Sequence, residues 1–161
     1  MPAPADSRVV ALRTVTEDDR AFLLSVYAST RDEELAQVAW APGQLEAFLE
    51  LQFGAQDRDY RGNHPAGAFD VIEVDGQAVG RLYVDRGADE LRLVDIALLP
   101  AYRSLGVGER LIRSLQAEAA ATGRVVVLHV EATNRAAHLY ERLGFVVVDE
   151  RGVHRRMEWR A

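Results

Sequence analysis

Two hydrophobic spacings alternate along the chain, one typical of strands and one typical of helices. Apolar runs, several of which alternate with polar residues, predict strands over 8–13, 68–74, 77–84, 90–99, 124–131, 145–150 and 153–159. Helical spacing predicts a first helix that ends near Ser29, a short segment over 31–40, a helix that begins at Pro42, and helices over 107–122 and 134–143. Both element types are therefore expected in one chain.

Local signals mark where several of these elements begin and end. Thr16 and Asp19 have the spacing of a helix-capping pair ahead of an apolar run. Asp75-Gly76 lies between two alternating runs, which favours a two-residue hairpin turn, and Arg151-Gly152 joins the final hairpin. Residues 54–67 hold three glycines, a proline and mixed charge, so they predict a helix end followed by a loop.

The strand, helix and strand between residues 91 and 131 indicate the fold class. This order predicts a right-handed parallel crossover within an otherwise mostly antiparallel sheet. We therefore expect an α/β (α+β) fold with a mixed central sheet. A chain of 161 residues can bury close to ~70% of its unfolded surface, which predicts a single domain over residues 1–161.

Composition removes several kinds of chemistry. The chain has no cysteine, which excludes disulfides, cysteine zinc sites and a thiol nucleophile. It has no lysine either, so all 19 basic residues are arginines and a Schiff-base lysine is excluded. The four histidines lie far apart and lack the spacing of metal ligands, so no metal site is expected.

The charge and the apolar runs narrow the range of partners. A net charge of −6 opposes generic binding to nucleic acid and mildly favours a cationic substrate. No apolar run approaches the ~20 residues that span a bilayer, so no membrane partner is expected. The N-terminal sequence MPAPADSR lacks the apolar stretch of a signal peptide. These features predict a soluble, cytoplasmic protein.

A glycine turn, Arg103-Ser104-Leu105-Gly106-Val107-Gly108, joins a predicted strand to a predicted helix. The first amides of a helix have no intrahelical partner and carry partial positive charge, which suits a pyrophosphate. Gly106 and Gly108 allow unusual backbone angles and close approach, and Arg103 could add a guanidinium. Because the turn lacks both the Gly-Lys-Ser/Thr ending of a P-loop and the third glycine of a dinucleotide fingerprint, an ATP or NAD site is disfavoured.

A second group of motif residues follows further along the chain: Asn134, Ala137, Leu139, Tyr140, Gly144 and Phe145. Together with Arg103, Gly106 and Gly108, this group resembles the two signatures of the GNAT superfamily of acyl-CoA-dependent N-acetyltransferases. The close resemblance covers residues 90–148. Asn134 departs from the pattern, because it stands six residues before Tyr140 where the common form of the family has seven.

The resemblance implies a GNAT fold of about seven strands and about four helices, with a splayed parallel pair that admits acetyl-CoA. The pantetheine arm would pair with the backbone of Ile96, Ala97 and Leu98, and the pyrophosphate would lie on Arg103, Ser104, Leu105, Gly106, Val107 and Gly108. Asn134 and Tyr140 would complete the cofactor site. Acetyl would pass directly to an amine of a small molecule or peptide in a ternary complex, and a homodimer would fit the family.

Tyr140 is the expected general acid. The CoA thiolate that leaves has a pKa near ~8.5 and tyrosine one near ~10, so proton donation is uphill by only roughly 2 kcal/mol. Packing at the end of an amphipathic helix is the other interpretation of this tyrosine. An alternative function for the whole chain is a non-catalytic acyl-CoA-binding sensor or interaction module.

The base is left open between His129, Glu131 and no dedicated protein group. His129 and Glu131 project to one face of their strand and Leu128 and Val130 to the other. If the apolar pair faces the helices, the polar pair faces the cleft. A primary amine with a pKa near ~10.4 is mostly protonated at neutral pH, so an acceptor for its proton would assist the reaction.

Strict alternation along residues 90–99 places Arg92, Val94 and Ile96 on one face and Leu93, Asp95 and Ala97 on the other. Arg92 could hold a substrate carboxylate or form a cross-strand salt bridge. Asp95 needs a partner if it is buried, so structural pairing is favoured over catalysis. The acceptor is expected against residues 27–35 and 52–67, where the candidates are Tyr27, Arg31, Phe53, Tyr60, Arg61 and His64.

Overall fold

The computed structural model describes residues 7–161 as seven strands and five α-helices within one sheet-based fold. Along the chain the elements are β1 (Val10–Thr14), α1 (Arg20–Thr30), α2 (Asp32–Leu35), α3 (Gln44–Asn63), β2 (Ala68–Val74), β3 (Gln77–Arg86), β4 (Glu90–Leu98), α4 (Val107–Thr122), β5 (Val125–Glu131), α5 (Ala136–Arg142), β6 (Val146–Arg151) and β7 (His154–Trp159). Most of the segment used for the signal-peptide expectation, residues 1–6, lies outside the described residues.

The strands form one sheet in the order β1-β2-β3-β4-β5-β7-β6. All neighbours are antiparallel except β4 and β5, which pair in parallel as the crossover predicts. This pairing begins at Glu90 with Val125, and its last pair is Leu93 with Leu128. Within the described residues, the remainder of β4 and the remainder of β5 have no pairing with each other, so the two strands form a V that opens toward their C-terminal ends.

A β-bulge in β4 makes the expected assignment of its two faces wrong. Tyr83 pairs with Asp95, but the next residue, Val84, pairs with Leu93, so Val94 is an extra residue in the ladder. A bulge shifts the alternation by one position. Beyond it, Asp95 and Ala97 share a face with Arg92, while Ile96 and Leu98 share the opposite face with Leu91 and Leu93.

The two faces of the sheet are covered by different helices. Helices α4 and α5 pack on the face of Leu91, Leu93 and Leu128, where they form the larger core. Helices α1 and α3 lie on the other face, where Leu23, Tyr27 and Phe53 form a smaller cluster. The V between β4 and β5 therefore has two sides that face different helices.

Helix α3 continues through most of the segment predicted to be a loop. It ends at Asn63, with His64 as its C-cap, so the predicted loop at 54–67 is confirmed only for its last few residues. The side chain of Phe53 is 1% exposed, and the ring of Tyr60 packs edge-on against Tyr83. Tertiary packing of this face outweighs the low helix propensity of Gly54 and Gly62.

Two other helix predictions need correction. The segment 31–40 is helical only over Asp32–Leu35, and the helix expected from Pro42 begins at Gln44 with Gly43 as its N-cap in the left-handed region, at φ 77°. Pro42 instead belongs to a turn in which the Gln44 side chain accepts a hydrogen bond from the Ala41 amide at 3.0 Å. Helix α5 is also shorter than 134–143, since it spans Ala136–Arg142.

Other local signals are confirmed. The Thr16 amide donates to the Asp19 carboxylate at 2.8 Å in a capping box at the start of a short 3₁₀ turn that leads into α1. Asp75 and Gly76 both adopt positive φ in the turn between β2 and β3. Helix α4 spans the predicted 107–122, and Gly123 is its C-cap at φ 67°. No helix of residues 7–161 is long and apolar enough to cross a membrane.

Candidate functional site

The open end of the V meets the N-terminus of α4. Residues Ile96 and Leu98 of β4 point toward α4 and are partly buried against the larger core. The chain then passes through a 3₁₀ turn at Pro100–Tyr102 and the glycine turn before α4 begins at Val107. This connection places a helix N-terminus directly beside a strand whose outer edge is unpaired, which is an arrangement suited to an extended ligand that carries phosphates.

The glycine turn leaves the first amides of α4 open. Gly106 is the N-cap residue at φ 84°, and Ser104 also adopts a positive φ of 61°. The first α-helical bond of α4 runs from the Arg110 amide to the Gly106 carbonyl, at 3.0 Å. The preceding amides at Val107, Gly108 and Glu109 therefore point out of the helix end, where partial positive charge accumulates.

Gly108 is not required by the backbone conformation. It lies in the first turn of α4 without a positive φ, and a Cβ built on it would lie 4.0 Å from the nearest side-chain atoms of Ile96 and Leu98. Since 4.0 Å is an ordinary contact, the folded protein has room for a larger residue there. The glycine leaves free space between α4 and β4.

The side chain of Arg103 is directed at protein atoms. Its Nε donates to the Leu98 carbonyl at 3.0 Å, and its Nη2 donates to the carbonyl and hydroxyl of Ser29 at 3.2 and 3.3 Å. These bonds join the end of β4 to the end of α1. Arg103 therefore holds the rim of the V, and any contact that it makes with a phosphate competes with these bonds.

Asn134 lies just before α5, and Tyr140 lies within it. The Asn134 side chain accepts a hydrogen bond from the Ala136 amide at 2.9 Å, so it stabilises the start of α5. Tyr140 is 6% exposed and packs edge-on against Phe145, with 5.7 Å between ring centroids. Among the described residues, none forms a hydrogen bond with the Tyr140 hydroxyl, so this group is available to a ligand.

Burial raises the pKa of Tyr140, and the negative charge of Asp95 raises it further. The phenol is therefore protonated across the physiological range. It can act as a proton donor and cannot act as a base.

Asp95 belongs to a buried polar cluster below α3. Its carboxylate accepts a hydrogen bond from Arg81 Nε at 2.5 Å, and Arg81 Nη2 donates to the Gln56 side chain at 2.8 Å. Burial raises the pKa of Asp95, although the positive charge of Arg81 opposes the shift. Arg81 is thus the structural partner that Asp95 was expected to need, and its positive charge compensates the Asp95 carboxylate inside the sheet.

Two tyrosines line the same cluster. The guanidinium carbon of Arg81 lies 6.0 Å from the ring centroid of Tyr60 and 5.2 Å from that of Tyr83. Burial raises the pKa of Tyr60 to about 12 and also raises that of Tyr83. Within residues 7–161, the buried Tyr83 hydroxyl has no hydrogen-bond partner. Sequence reasoning missed Arg81, although a lone arginine within an apolar strand is a signal that could have identified it.

His129 lies on the other arm of the V. Leu128 and Val130 are buried and His129 and Glu131 are exposed, so the expected division of β5 is confirmed. Arg92 Nη1 approaches His129 Nδ1 at 3.3 Å. Burial lowers the pKa of His129, and the charges of Arg92 and Arg156 lower it further. The imidazole is therefore neutral at physiological pH.

The candidate acceptor residues do not form one wall. Tyr27 and Arg31 lie at the end of α1, where Arg31 Nη1 donates to the Tyr27 hydroxyl at 2.8 Å. Phe53 and Arg61 line a cleft of about 610 Å³ beside Val15 at the far edge of the sheet. His64 Nδ1 contacts Asp85 at 2.8 Å and joins α3 to β3.

The acidic and histidine side chains of residues 7–161 form no group of three or more that could hold a metal ion. The polar groups around the V are instead single donors and acceptors: a phenol at Tyr140, a neutral imidazole at His129, and the ion pair of Arg81 and Asp95. Such a set can transfer protons at a reacting carbonyl.

Comparison with known sequences agrees with this geometry. A family model described as an acetyltransferase (GNAT) domain matches residues 65–147. A mycothiol acetyltransferase of Corynebacterium efficiens is 33% identical over 141 residues, which cover 81% of this chain and 47% of that protein. A [ribosomal protein bS18]-alanine N-acetyltransferase of Haemophilus influenzae is 36% identical over 76 residues, which cover 47% and 52%. The chain spans about half the length of these curated relatives.

Solved structures share the whole fold at low sequence identity. The PaiA N-acetyltransferase of Thermoplasma acidophilum in complex with coenzyme A superimposes with a TM-score of 0.70 at 18% identity, covering 95% of this chain and 99% of that one. An acetyltransferase of Thermus thermophilus superimposes with a TM-score of 0.67 at 18% identity, covering 95% and 97%. The predicted fold class, a mixed seven-stranded sheet with a splayed parallel pair, is confirmed.

Proposed function

Since the chain belongs to the GNAT acetyltransferase family, we propose that it transfers an acetyl group from acetyl-CoA to a primary amine of a small molecule or peptide. The observation that carries the proposal is the V between β4 and β5, which has an open helix N-terminus at its mouth. Residues 1–161 would act as one catalytic domain.

The cofactor would occupy the side of the V that faces α4. The pantetheine arm would pair with the backbone at Ile96, Ala97 and Leu98, as an added strand does at a sheet edge. The pyrophosphate would accept hydrogen bonds from the first amides of α4, and Gly108 leaves the space for it. The acceptor would approach from the face of α1 and α3.

The reaction forms an amide bond and breaks a thioester. The amine lone pair attacks the carbonyl carbon, the carbon–sulfur bond breaks, and the thiolate takes a proton from Tyr140. A buried phenol holds its proton until negative charge develops on the sulfur, and desolvation raises the pKa of the thiolate as well, which narrows the gap between donor and acceptor. Direct transfer suits a chain that has no cysteine nucleophile.

The extra proton of the amine would pass to His129. Its neutral imidazole lies one residue beyond Leu128, the last residue of β5 that pairs with β4, on the acceptor face of the sheet. Glu131 is two residues further out and opposite His154 in the neighbouring strand, so it is the weaker candidate. The names of the two curated relatives refer to one small molecule and one protein alanine, which supports an amine acceptor without choosing between them.

Thermal unfolding in the presence of acetyl-CoA, CoA, ATP and NAD tests the cofactor. A ligand at 100 times its dissociation constant adds about 2.7 kcal/mol, so acetyl-CoA and CoA should raise the Tm by several degrees and ATP and NAD should not. Release of free CoA thiol with a panel of amines then tests turnover. Binding without turnover on any amine would favour a sensor or interaction module, and no CoA binding would refute the proposal.

A further inference from the structure

Two arginines flank the candidate base on the acceptor side of the V. Arg92 lies on β4 one residue before the last pair with β5, and Arg156 lies directly opposite His129 on β7. We refer to Arg92 and Arg156 as the arginine pair. Resting on the proposed function, we propose that the arginine pair binds a carboxylate carried by the amine acceptor, and that this binding frees His129 to take the proton of the amine.

The arginine pair is available for a further anion. Arg92 Nη1 donates to His129 at 3.3 Å, and Arg156 Nη2 donates to Glu158 at 3.3 Å. Each guanidinium offers five N–H donors, so most donors of the pair are unused among the described residues. The side chains are 27% and 35% exposed, which leaves them reachable but partly shielded from water.

The carboxylate already present beside the pair does not saturate it. Glu90 lies 3.6 Å from Arg92 Nη2 and 3.7 Å from Arg156 Nη2, which is beyond hydrogen-bonding distance. The Oε2 atom of Glu90 is buried and has no hydrogen-bond partner in the described part of the chain. Glu90 therefore offsets part of the charge of the pair without accepting its hydrogen bonds, and among the described residues the pair keeps unused donors for a bidentate carboxylate.

The local charge favours an anion although the whole chain is acidic. Burial is the main cause that lowers the pKa of His129, and the positive charges of Arg92 and Arg156 act on the imidazole more strongly than the opposing charges of Glu90 and Asp149. The net charge of −6 is spread over the whole chain, and salt screens the charges that lie far from His129, so they act only weakly on the site. The mild preference for a cationic acceptor expected from composition thus reverses at the site itself.

The contact between Arg92 and His129 links recognition to proton transfer. Arginine can only donate, so Nδ1 of His129 must be the acceptor and the proton of the neutral ring must be on Nε2. In this state the lone pair of Nδ1 accepts the hydrogen bond from Arg92 and Nε2 carries a proton, so the imidazole cannot take a proton from the amine. A carboxylate that draws the Arg92 guanidinium toward itself releases Nδ1, so only an acceptor bearing the anion would meet an active base.

Nuclear magnetic resonance of the imidazole nitrogens tests the subsite without turnover. Propionate is titrated into ¹⁵N-labelled CoA-bound protein against sodium chloride at equal ionic strength, with propionamide as the neutral analogue and His129→Gln for assignment. Propionate should shift the His129 signals and raise the pKa of this histidine, because it adds negative charge and withdraws Arg92. Propionamide should have no such effect.

Three variants make the test specific. Arg92→Gln and Arg156→Gln should abolish the response to propionate, whereas Arg151→Gln should retain it. Arg151 is the control because it is an exposed arginine on the same sheet face, and its removal leaves both members of the arginine pair in place. Equal responses to propionate and chloride in the wild type, or an unchanged propionate response in Arg92→Gln, would overturn the proposal.

A kinetic comparison separates this proposal from the proposed function. 4-Aminobutyrate and 4-aminobutanamide carry amines of similar basicity and differ in the carboxylate. We expect kcat/KM to favour the acid by about tenfold in the wild type and in Arg151→Gln, and the preference to disappear in Arg92→Gln. Equal acetylation of both compounds would refute the subsite but keep the acetyltransferase. Absence of turnover on every amine would refute the acetyltransferase, and the resonance experiment would still decide the subsite.

Discussion

Arg81 and Asp95 form an ion pair of 2.5 Å at the point where β4 separates from β5. The Arg81 side chain is 3% exposed and that of Asp95 is 22% exposed, so the pair lies within the sheet and below α3. Gln56 ties the same arginine to α3. This pair therefore holds together the helix, the bulged strand and the acceptor face of the V.

Arg81→Met should destabilise the protein by about 3 kcal/mol, because it leaves the Asp95 carboxylate partly buried without its counter-charge. Urea unfolding measures the change. The double variant Arg81→Met with Asp95→Leu should recover most of the loss, since it removes both charges. A single variant as stable as the wild type would contradict a structural role for the pair.

Gly80→Ala should distort the C-terminal half of β4. Gly80 lies opposite Leu98, and a Cβ at this position would overlap the main-chain carbonyl of Ala97. Because backbone is displaced rather than a flexible side chain, we expect a loss of roughly 2–3 kcal/mol together with weaker CoA binding. Gly62→Ala is the control, since a Cβ at Gly62 meets nothing within 4 Å. Equal stability of the two variants would show that β4 can move away at no cost.

Gly108→Glu should abolish acyl-CoA binding without unfolding the protein. The substitution fills the space between α4 and β4 and places a negative charge where the pyrophosphate is expected. Isothermal titration with CoA measures the affinity, and Gly62→Glu provides an equal change of charge and helix propensity on α3. Retained affinity in Gly108→Glu would place the phosphates elsewhere.

Tyr140→Phe should lower kcat by roughly 10²-fold, because it removes the proton donor to the leaving thiolate and keeps the packing against Phe145. The affinity for CoA and the Tm should stay close to those of the wild type. Phe145→Leu is the control for packing alone, and it should affect stability more than kcat. Full activity in Tyr140→Phe would assign this tyrosine to the core only.

Low pH should weaken the ion pair between Arg13 of β1 and Asp19, which precedes α1, because Asp19 becomes protonated. The hydrogen bond from Arg13 is the main cause that lowers the pKa of Asp19 from 3.8 to about 2. A depressed carboxyl pKa contributes stability that is complete above the unfolded value and is lost as the pH falls toward the folded value. The contribution should be roughly 1–2 kcal/mol, reduced by screening because Arg13 is 40% exposed.

Urea unfolding of the wild type and Asp19→Asn from neutral pH down to about pH 2 measures this contribution. The difference in stability between the two proteins should be constant above about pH 4 and should close as Asp19 becomes protonated. A difference that does not change with pH would mean that the Arg13 contact contributes nothing through charge.

The sequence predicted the elements whose signals are local. The strand and helix order, the hairpin at Asp75-Gly76, the capping box at Thr16 and the limits of α4 each depend on residues within a few positions of one another. Local preferences and hydrophobic periodicity encode such features directly. The same is true of the glycine turn, because a left-handed residue at Gly106 is a property of that position alone.

Misassigned segments were those in which distant residues override local preference. Residues 54–63 resemble a loop because of Gly54 and Gly62, yet they are helical since Tyr60 packs on Tyr83 of a distant strand. The faces of β4 were assigned by strict alternation, and the bulge at Val94 follows from its pairing with β3. Neither the packing of Tyr60 on Tyr83 nor the pairing of β4 with β3 can be recognised from the residues next to these positions in the sequence.

By itself, the sequence determined the order of elements, the glycine turn and the division of β5 into a buried and an exposed face. Only the tertiary structure decided that Arg81 compensates Asp95, that Arg103 is held by Leu98 and Ser29, and that Arg92 and Arg156 converge on His129. Backbone preference acts over a few residues and is encoded locally. Charge pairing acts through space, so its partners are chosen only after strand register and bulge have brought distant residues together.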